Sequence, residues 1–241
     1  MKNFMSSLIL GSFFFLVGCC SAAHVQTPKV SNALSEHEIQ RSSQIENVKK
    51  IKRLTVALTS LDTSDQMIHC AAIWINRGML LTANHCVNKD ELITYITYDE
   101  LNESSFHLAI VKSNDEINDL ALLLVDPSSE PPHDVVEITD EIVEPGEEVN
   151  IMGHTVGLGW TFSKGYVSSI RNNLKTPDSF PTEKVVQISS PAWLGNSGGG
   201  AFDLNGHLVG LCSYISTSGP FLTYFIHKNT IVKFLMKEGA I

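Results

Sequence analysis

Residues 194–200 read LGNSGGG, a single hydroxyl, Ser197, among neighbours that carry almost no side chains. Glycines accept backbone angles that other residues avoid and let a foreign backbone approach closely, so the stretch suits either a tight turn or a site that clasps a ligand. A serine hydroxyl acts as a nucleophile only with an imidazole to take its proton and a carboxylate to fix the imidazole tautomer. It also needs N–H groups to hold the developing oxyanion. The chain offers all three. LLTANHCV sets His85 directly after an apolar run, INDLALLLV sets Asp119 at the mouth of another, and the order along the chain is His, Asp, Ser. Asp115, in SNDEIND, is a rival carboxylate, and Asp119 by itself reads equally well as the end of a turn. Gly195, Ser197 and Gly199 also satisfy G-x-S-x-G, a strained strand-to-helix turn whose acid and histidine follow the serine. Only a short tail follows Ser197, and the chain before it shows no alternation of strand and helix, so that arrangement is disfavoured.

Such residues need rigid elements to carry them. From about residue 52 the chain breaks into twelve short apolar or alternating runs divided by Gly, Asn, Asp and Pro, from LTVALTS and MIHCAAIWI through GMLLTA and LALLLV to GHLVGLCSYI and FLTYFIH. Runs of this length and spacing predict an all-β sandwich or barrel. Two segments depart from the pattern. KNTIVKFLMKEG puts Ile231, Phe234 and Leu235 on one helical face, with Asn229 or Thr230 as cap and Gly239 as stop. Near the other end, Ile39, Ile45, Val48 and Ile51 form a partial stripe that predicts an N-terminal helix over 35–51, with Ser35 and Glu38 spaced as a capping box.

LTANHC, NDLALL and GNSGGGAF together resemble the three catalytic blocks of the trypsin-like serine proteases, and the match runs over roughly residues 52–238. The bacterial HtrA/Deg branch is the nearest pattern, through PGEEVNIMGHTVGLGWTFSKGYVSSI, GHLVGLCSYI and FIHKNTIVKFL. The resemblance implies two six-stranded antiparallel β-barrels with the site in the cleft between them. It implies His85 as general base and acid, Asp119 as its orienting carboxylate and Ser197 as nucleophile, with the N–H groups of Gly195 and Ser197 as oxyanion hole. Asn196 stands where trypsin has an aspartate, as is usual in the HtrA branch. The family often closes the loop bearing the histidine with a disulfide, which here would join Cys70 to Cys86. Zinc held by His69-Cys70 and His85-Cys86 is the competing idea, but adjacent strand residues point to opposite faces, so no metal and no cofactor is expected. Cys212 reads as a buried core thiol.

By the same resemblance the specificity pocket is walled by Ser189–Trp193 and Ser213–Ser216, with Pro191, Trp193, Ser213, Tyr214 and Ile215 as its candidate contacts. Neither segment holds an acidic residue to bind Lys or Arg, so a small or medium apolar side chain is expected before the scissile bond. Trp193 and Tyr214 either narrow the pocket or belong to the core. Members of the branch usually carry PDZ domains after the protease; this chain stops at Ile241, so none is expected, and its oligomeric state is open.

Composition and targeting limit the partners. Of 241 residues, 43% are hydrophobic, 26 are acidic and 17 basic, so nothing attracts the chain to nucleic acid in general. LILGSFFFLVGCCSAA is laid out as a secretory signal, and LVGC resembles the bacterial lipoprotein signal, which would make 1–18 the signal peptide and Cys19 the lipidated first residue. Cleavage after Ala23 or retention as an anchor are the alternatives, and all three export the rest of the chain. Residues 19–51 then form a tether and helix, and 52–241 the protease domain. The expectation is a serine endopeptidase of the bacterial envelope, anchored in the periplasm through lipid or secreted, with polypeptide as its partner and exposed or unfolded envelope proteins as substrates. A catalytically latent binding module, or a maturation protease for one dedicated partner, are the rival readings.

Overall fold

The computed structural model describes residues 30–61, 67–87, 93–97, 106–126, 134–174, 183–216 and 222–241. All twelve apolar runs become strands: β1 (Thr55–Leu61), β2 (Met67–Asn76), β3 (Met79–Ala83), β4 (Ile93–Ile96), β5 (His107–Asp115) and β6 (Leu120–Val125), then β7 (Glu148–Gly153), β8 (Thr161–Asn172), β9 (Lys184–Ser189), β10 (Gly200–Phe202), β11 (Leu208–Ile215) and β12 (Leu222–His227). The first six close a barrel in the order β1-β2-β3-β6-β5-β4 and the last six close another in the order β10-β11-β12-β9-β8-β7, antiparallel throughout. Closure leaves neither sheet with an edge to be protected.

The two-residue period of a strand explains why the middle of β2, from Cys70 to Ile75, is apolar without a break. Ala72 and Trp74 point into the first barrel with Val56, Leu58, Leu80 and Tyr95, whereas Ile73 and Ile75 point to the seam between barrels. The seam also takes Leu81 and Leu122 from the first barrel and Met152, Phe202 and Leu211 from the second. Val149, Ile151, Val167, Ile188 and Phe225 fill the second barrel. A strand buried on both faces cannot be shifted in register without exposing one set or the other, so the cleft above the seam is held rigidly.

The helices differ in detail from expectation. Helix α1 spans Val30–Leu54, so it begins before Ser35, and Ser35 and Glu38 lie within it rather than capping it. Nothing between Val30 and Leu34 breaks a helix, and the nearest upstream breaker in sequence is Pro28. The boundary expected between residues 51 and 52 falls inside this helix: Ile51 and Leu54 are fully buried, and Ile51 packs in the seam cluster with Phe234 and Leu235. One compact unit accordingly spans Ile39–Ile241. Helix α2 (Lys228–Lys237) buries Ile231, Phe234 and Leu235, but its cap is neither Asn229 nor Thr230. The His227 ring takes that role, Nδ1 accepting from the Asn229 N–H at 3.0 Å. Gly239 follows at φ 65°, the left-handed turn that ends many helices. Among the described residues no helix is long and apolar enough to cross a membrane. The expected signal peptide, Cys19 and the tether as far as residue 29 lie outside the described residues.

Candidate active site

His85 sits in a single 3-10 turn, Asn84–Cys86, at the end of β3, and Asp119 sits in the turn that opens β6. Because β3 pairs with β6 from Met79–Leu124 to Ala83–Leu120, the two strand ends meet, and both residues project from the same rim of the first barrel. Asn84 N–H donates to the Asp119 carbonyl at 3.0 Å, and the His85 N–H to Asp119 Oδ1 at 2.9 Å. His85 Nδ1 lies 3.0 Å from Oδ1 and 2.9 Å from Oδ2 of the same carboxylate. Asp119 is 1% exposed and takes φ 55°, a left-handed conformation that aspartate tolerates better than most residues. The rival Asp115 is committed to its own turn, accepting from the N–H groups of Ile117 and Asn118 and from the Asn118 amide.

A third donor reaches Asp119. The Ser213 hydroxyl donates to Oδ2 from the facing barrel, where the β11–β12 ladder shifts register between Cys212 and Tyr214. A bulge re-aims the side chain it contains, and this one turns Ser213 to the carboxylate. Ser213, expected as a contact of the specificity pocket, gives its hydroxyl to Asp119 through this bulge. Tyr214, on the opposite face, is no open pocket wall: its ring is stacked on Tyr224 at 4.7 Å, in a buried cluster with Val185. Trp193 and Pro191 are exposed and Ile215 is half-buried.

Ser197 occupies the turn between β9 and β10 and is tied to both barrels. Its carbonyl accepts from the Ala71 N–H at 2.8 Å, while the next residue, Gly198, donates to the Cys212 carbonyl at 2.8 Å. Ala71 adjoins Cys70, whose disulfide to Cys86 adjoins His85; Cys212 adjoins Ser213, which holds Asp119. Two short paths of hydrogen bonds and covalent links thus tie Ser197 to the rim where His85 and Asp119 already meet. Cys70 Sγ, Cys86 Sγ and a His85 ring nitrogen lie within 4.8 Å of one another, but with both sulfurs joined to each other the group leaves one donor for a cation. Among the described residues Cys212 is the free thiol, buried, its pKa pushed up to about 12 by burial and then by the charge of Asp119.

The glycine-rich turn shows a selective pattern of donors. Asn196 N–H donates to the Trp193 carbonyl at 3.1 Å, Gly198 N–H to Cys212, and Gly199 N–H to the Asn196 carbonyl at 2.9 Å. Among the described residues no group accepts from the N–H of Gly195 or of Ser197. The Leu194 carbonyl, which a flipped peptide would aim at those donors, is instead bonded to the Val156 N–H at 2.7 Å. Gly195 needs to be glycine here: its φ is 96°, and a Cβ would stand 2.1 Å from the His154 carbonyl. Two neighbouring unspent N–H groups beside a hydroxyl form the arrangement that binds a tetrahedral oxyanion.

Comparison with known proteins agrees with this geometry. The model of the trypsin-like peptidase domain matches residues 70–211. A DegP-like periplasmic serine endoprotease of Marinomonas sp. is 31% identical over 147 residues, 60% of this chain and 29% of the relative. Its counterpart in Rhizobium meliloti is 33% identical over 170 residues, 68% of this chain and 32% of the relative. The chain thus spans about a third of the length of the curated relatives it matches. Among solved structures, the active form of the Rv3671c protease from M. tuberculosis superposes with a TM-score of 0.71 at 22% identity, over 81% of this chain and 85% of that one, which is a likeness of fold. The ordered His, Asp and Ser blocks on paired barrels, matched by the family model across more than half of its length, place the chain in the trypsin-like peptidase family.

Proposed function

We propose that this protein is an exported serine endopeptidase that cleaves exposed or unfolded segments of envelope proteins through His85, Asp119 and Ser197. The observation that carries the reading is the 2.9 Å approach of His85 Nδ1 to a carboxylate that is itself 1% exposed and held by two further donors. Asp119 orients the proton onto Nδ1, leaving Nε2 to take the Ser197 proton as Oγ adds to the scissile carbonyl. The new oxyanion accepts from the Gly195 and Ser197 N–H groups. Collapse of the tetrahedral adduct breaks the C–N bond, and His85 returns the proton to the departing amine. Water then adds to the acyl-enzyme by the same route, His85 acting first as base and then as acid, and releases the new carboxylate.

The periplasmic names of the Marinomonas and Rhizobium relatives, together with the signal-like N-terminus, support an envelope location and polypeptide substrates. In this reading residues 1–18 are removed, a lipid on Cys19 anchors the chain, and residues 39–241 form the catalytic unit. The absence of acidic side chains from Ser189–Trp193 and Ser213–Ser216 supports a small or medium apolar residue before the scissile bond.

The first test is labelling with a fluorophosphonate probe. Labelling is expected on Ser197, lost in Ser197→Ala and His85→Ala; a folded, disulfide-bonded protein that does not label would overturn the reading. Palmitate incorporation in cells, abolished by Cys19→Ser, checks the anchor.

A further inference from the structure

We propose that Thr155 is a positioning residue for the oxyanion hole, a role that rests on the peptidase reading above and adds a device to it. Of the two candidate donors, the Ser197 N–H belongs to the Asn196–Ser197 peptide, so the orientation of Asn196 sets where it points, while the Gly195 N–H belongs to the Leu194–Gly195 peptide, which is fixed through the Leu194 carbonyl. Asn196 is 3% exposed, and its Oδ1 accepts from the Thr155 hydroxyl at 2.9 Å. No room exists for a different arrangement on that side: a Cβ on Gly153 would stand 2.3 Å from the same oxygen.

Thr155 does not act from a mobile loop. The residues on either side of it also grip the turn, His154 N–H donating to the Gly195 carbonyl at 3.2 Å and Val156 N–H to the Leu194 carbonyl at 2.7 Å. Three consecutive residues therefore hold three consecutive residues. Val156 is at φ 53°, a β-branched side chain in the left-handed region, which persists only where the surroundings enforce it. Trp160, itself at φ 51°, braces the neighbouring His154. Its main-chain N–H donates to His154 Nδ1 at 3.1 Å, its ring meets the His154 ring edge-to-face at 4.7 Å, and its indole N–H donates to the Thr55 carbonyl at 2.8 Å. Thr55 opens β1, and its hydroxyl donates to the Ile51 carbonyl in the last turns of α1. The latch on the oxyanion turn is thereby fastened to the first barrel and to the foot of α1.

The test compares Thr155→Val, which keeps shape and removes the hydroxyl, with Thr155→Ser, which restores it. The readouts are saturation kinetics of phosphonylation by a fluorophosphonate probe and the thermal midpoint. With wild type labelling at Ser197, Thr155→Val is expected to lower the limiting rate by about tenfold to a hundredfold. The half-saturating probe concentration and the pH midpoint set by His85 should stay unchanged, with Thr155→Ser recovering to within about threefold. A general structural defect would instead shift the pH midpoint or fail to be rescued by serine. An unchanged rate in Thr155→Val, no rescue, or a shifted midpoint overturns the proposal. If valine prevents folding, Thr155→Ala against Thr155→Ser decides the same question. Failure of wild type itself to label would overturn the peptidase reading, and the role of Thr155 with it.

Discussion

Asp119 is the residue on which most of the site's geometry converges. Burial makes an unpaired carboxylate costly, and three donors compensate it: the His85 N–H, the His85 ring and the Ser213 hydroxyl. Asp119→Asn would keep the shape and lose the tautomer control, so turnover should fall by about 10⁴, measured as the limiting rate of phosphonylation or peptide cleavage. Ser213→Ala removes one donor of three and should cost about tenfold, in keeping with one hydrogen bond to a charged group. Cys212 lies close by, yet its thiol is buried and pushed up to about 12. Iodoacetamide should leave it intact in the folded protein and modify it only after denaturation, as read by mass spectrometry.

At the scale of elements, the hairpin bearing His85 is closed by Cys70–Cys86 across sixteen residues. Replacing both cysteines by alanine should cost about 3 kcal/mol in denaturant-midpoint measurements, because a loop of that length is no longer restrained in the unfolded chain. The last turns of α1 are part of the core rather than a tether. Ile51 is fully buried among Trp160, Phe202, Phe234 and Leu235, so Ile51→Ala should destabilise by about 2–5 kcal/mol, the range for emptying an aliphatic core site. An exposed α1 residue such as Ile39, 69% exposed, should tolerate the same change.

For the molecule as a whole, acid stability turns on two histidines buried in neutral form. His154 is held down to about 4 by burial, and His227 likewise to about 4 by burial and then by the charges of Lys184 and Lys228. Both rings use Nδ1 as an acceptor, which protonation would remove. The unfolded chain binds these protons at about 6.5 and the folded protein does not until about 4, so stability declines as pH falls through that window and levels off below it. His154 alone accounts for roughly 3 kcal/mol at the acid end. The unfolding midpoint measured between pH 7 and 4 should drop accordingly, and less in His227→Gln.

Much of this protein was legible along the chain. Strand period and turn residues marked all twelve strands, because each buries one or both faces and a buried face must alternate or be apolar throughout. The order of His85, Asp119 and Ser197 with their flanking runs carried the resemblance to the trypsin-like proteases, and it was this resemblance that implied paired barrels. The start of α1, the His227 cap and the placing of Tyr214 were not legible, because each depends on what packs against it. The same holds for the bulge that turns Ser213 to Asp119. Sequence by itself determined which residues could do the chemistry; only the tertiary structure decided which donors remain unspent. Hydrogen-bond geometry is settled by contacts between residues distant in the chain, such as Thr155 with Asn196 and Ser197 with Ala71.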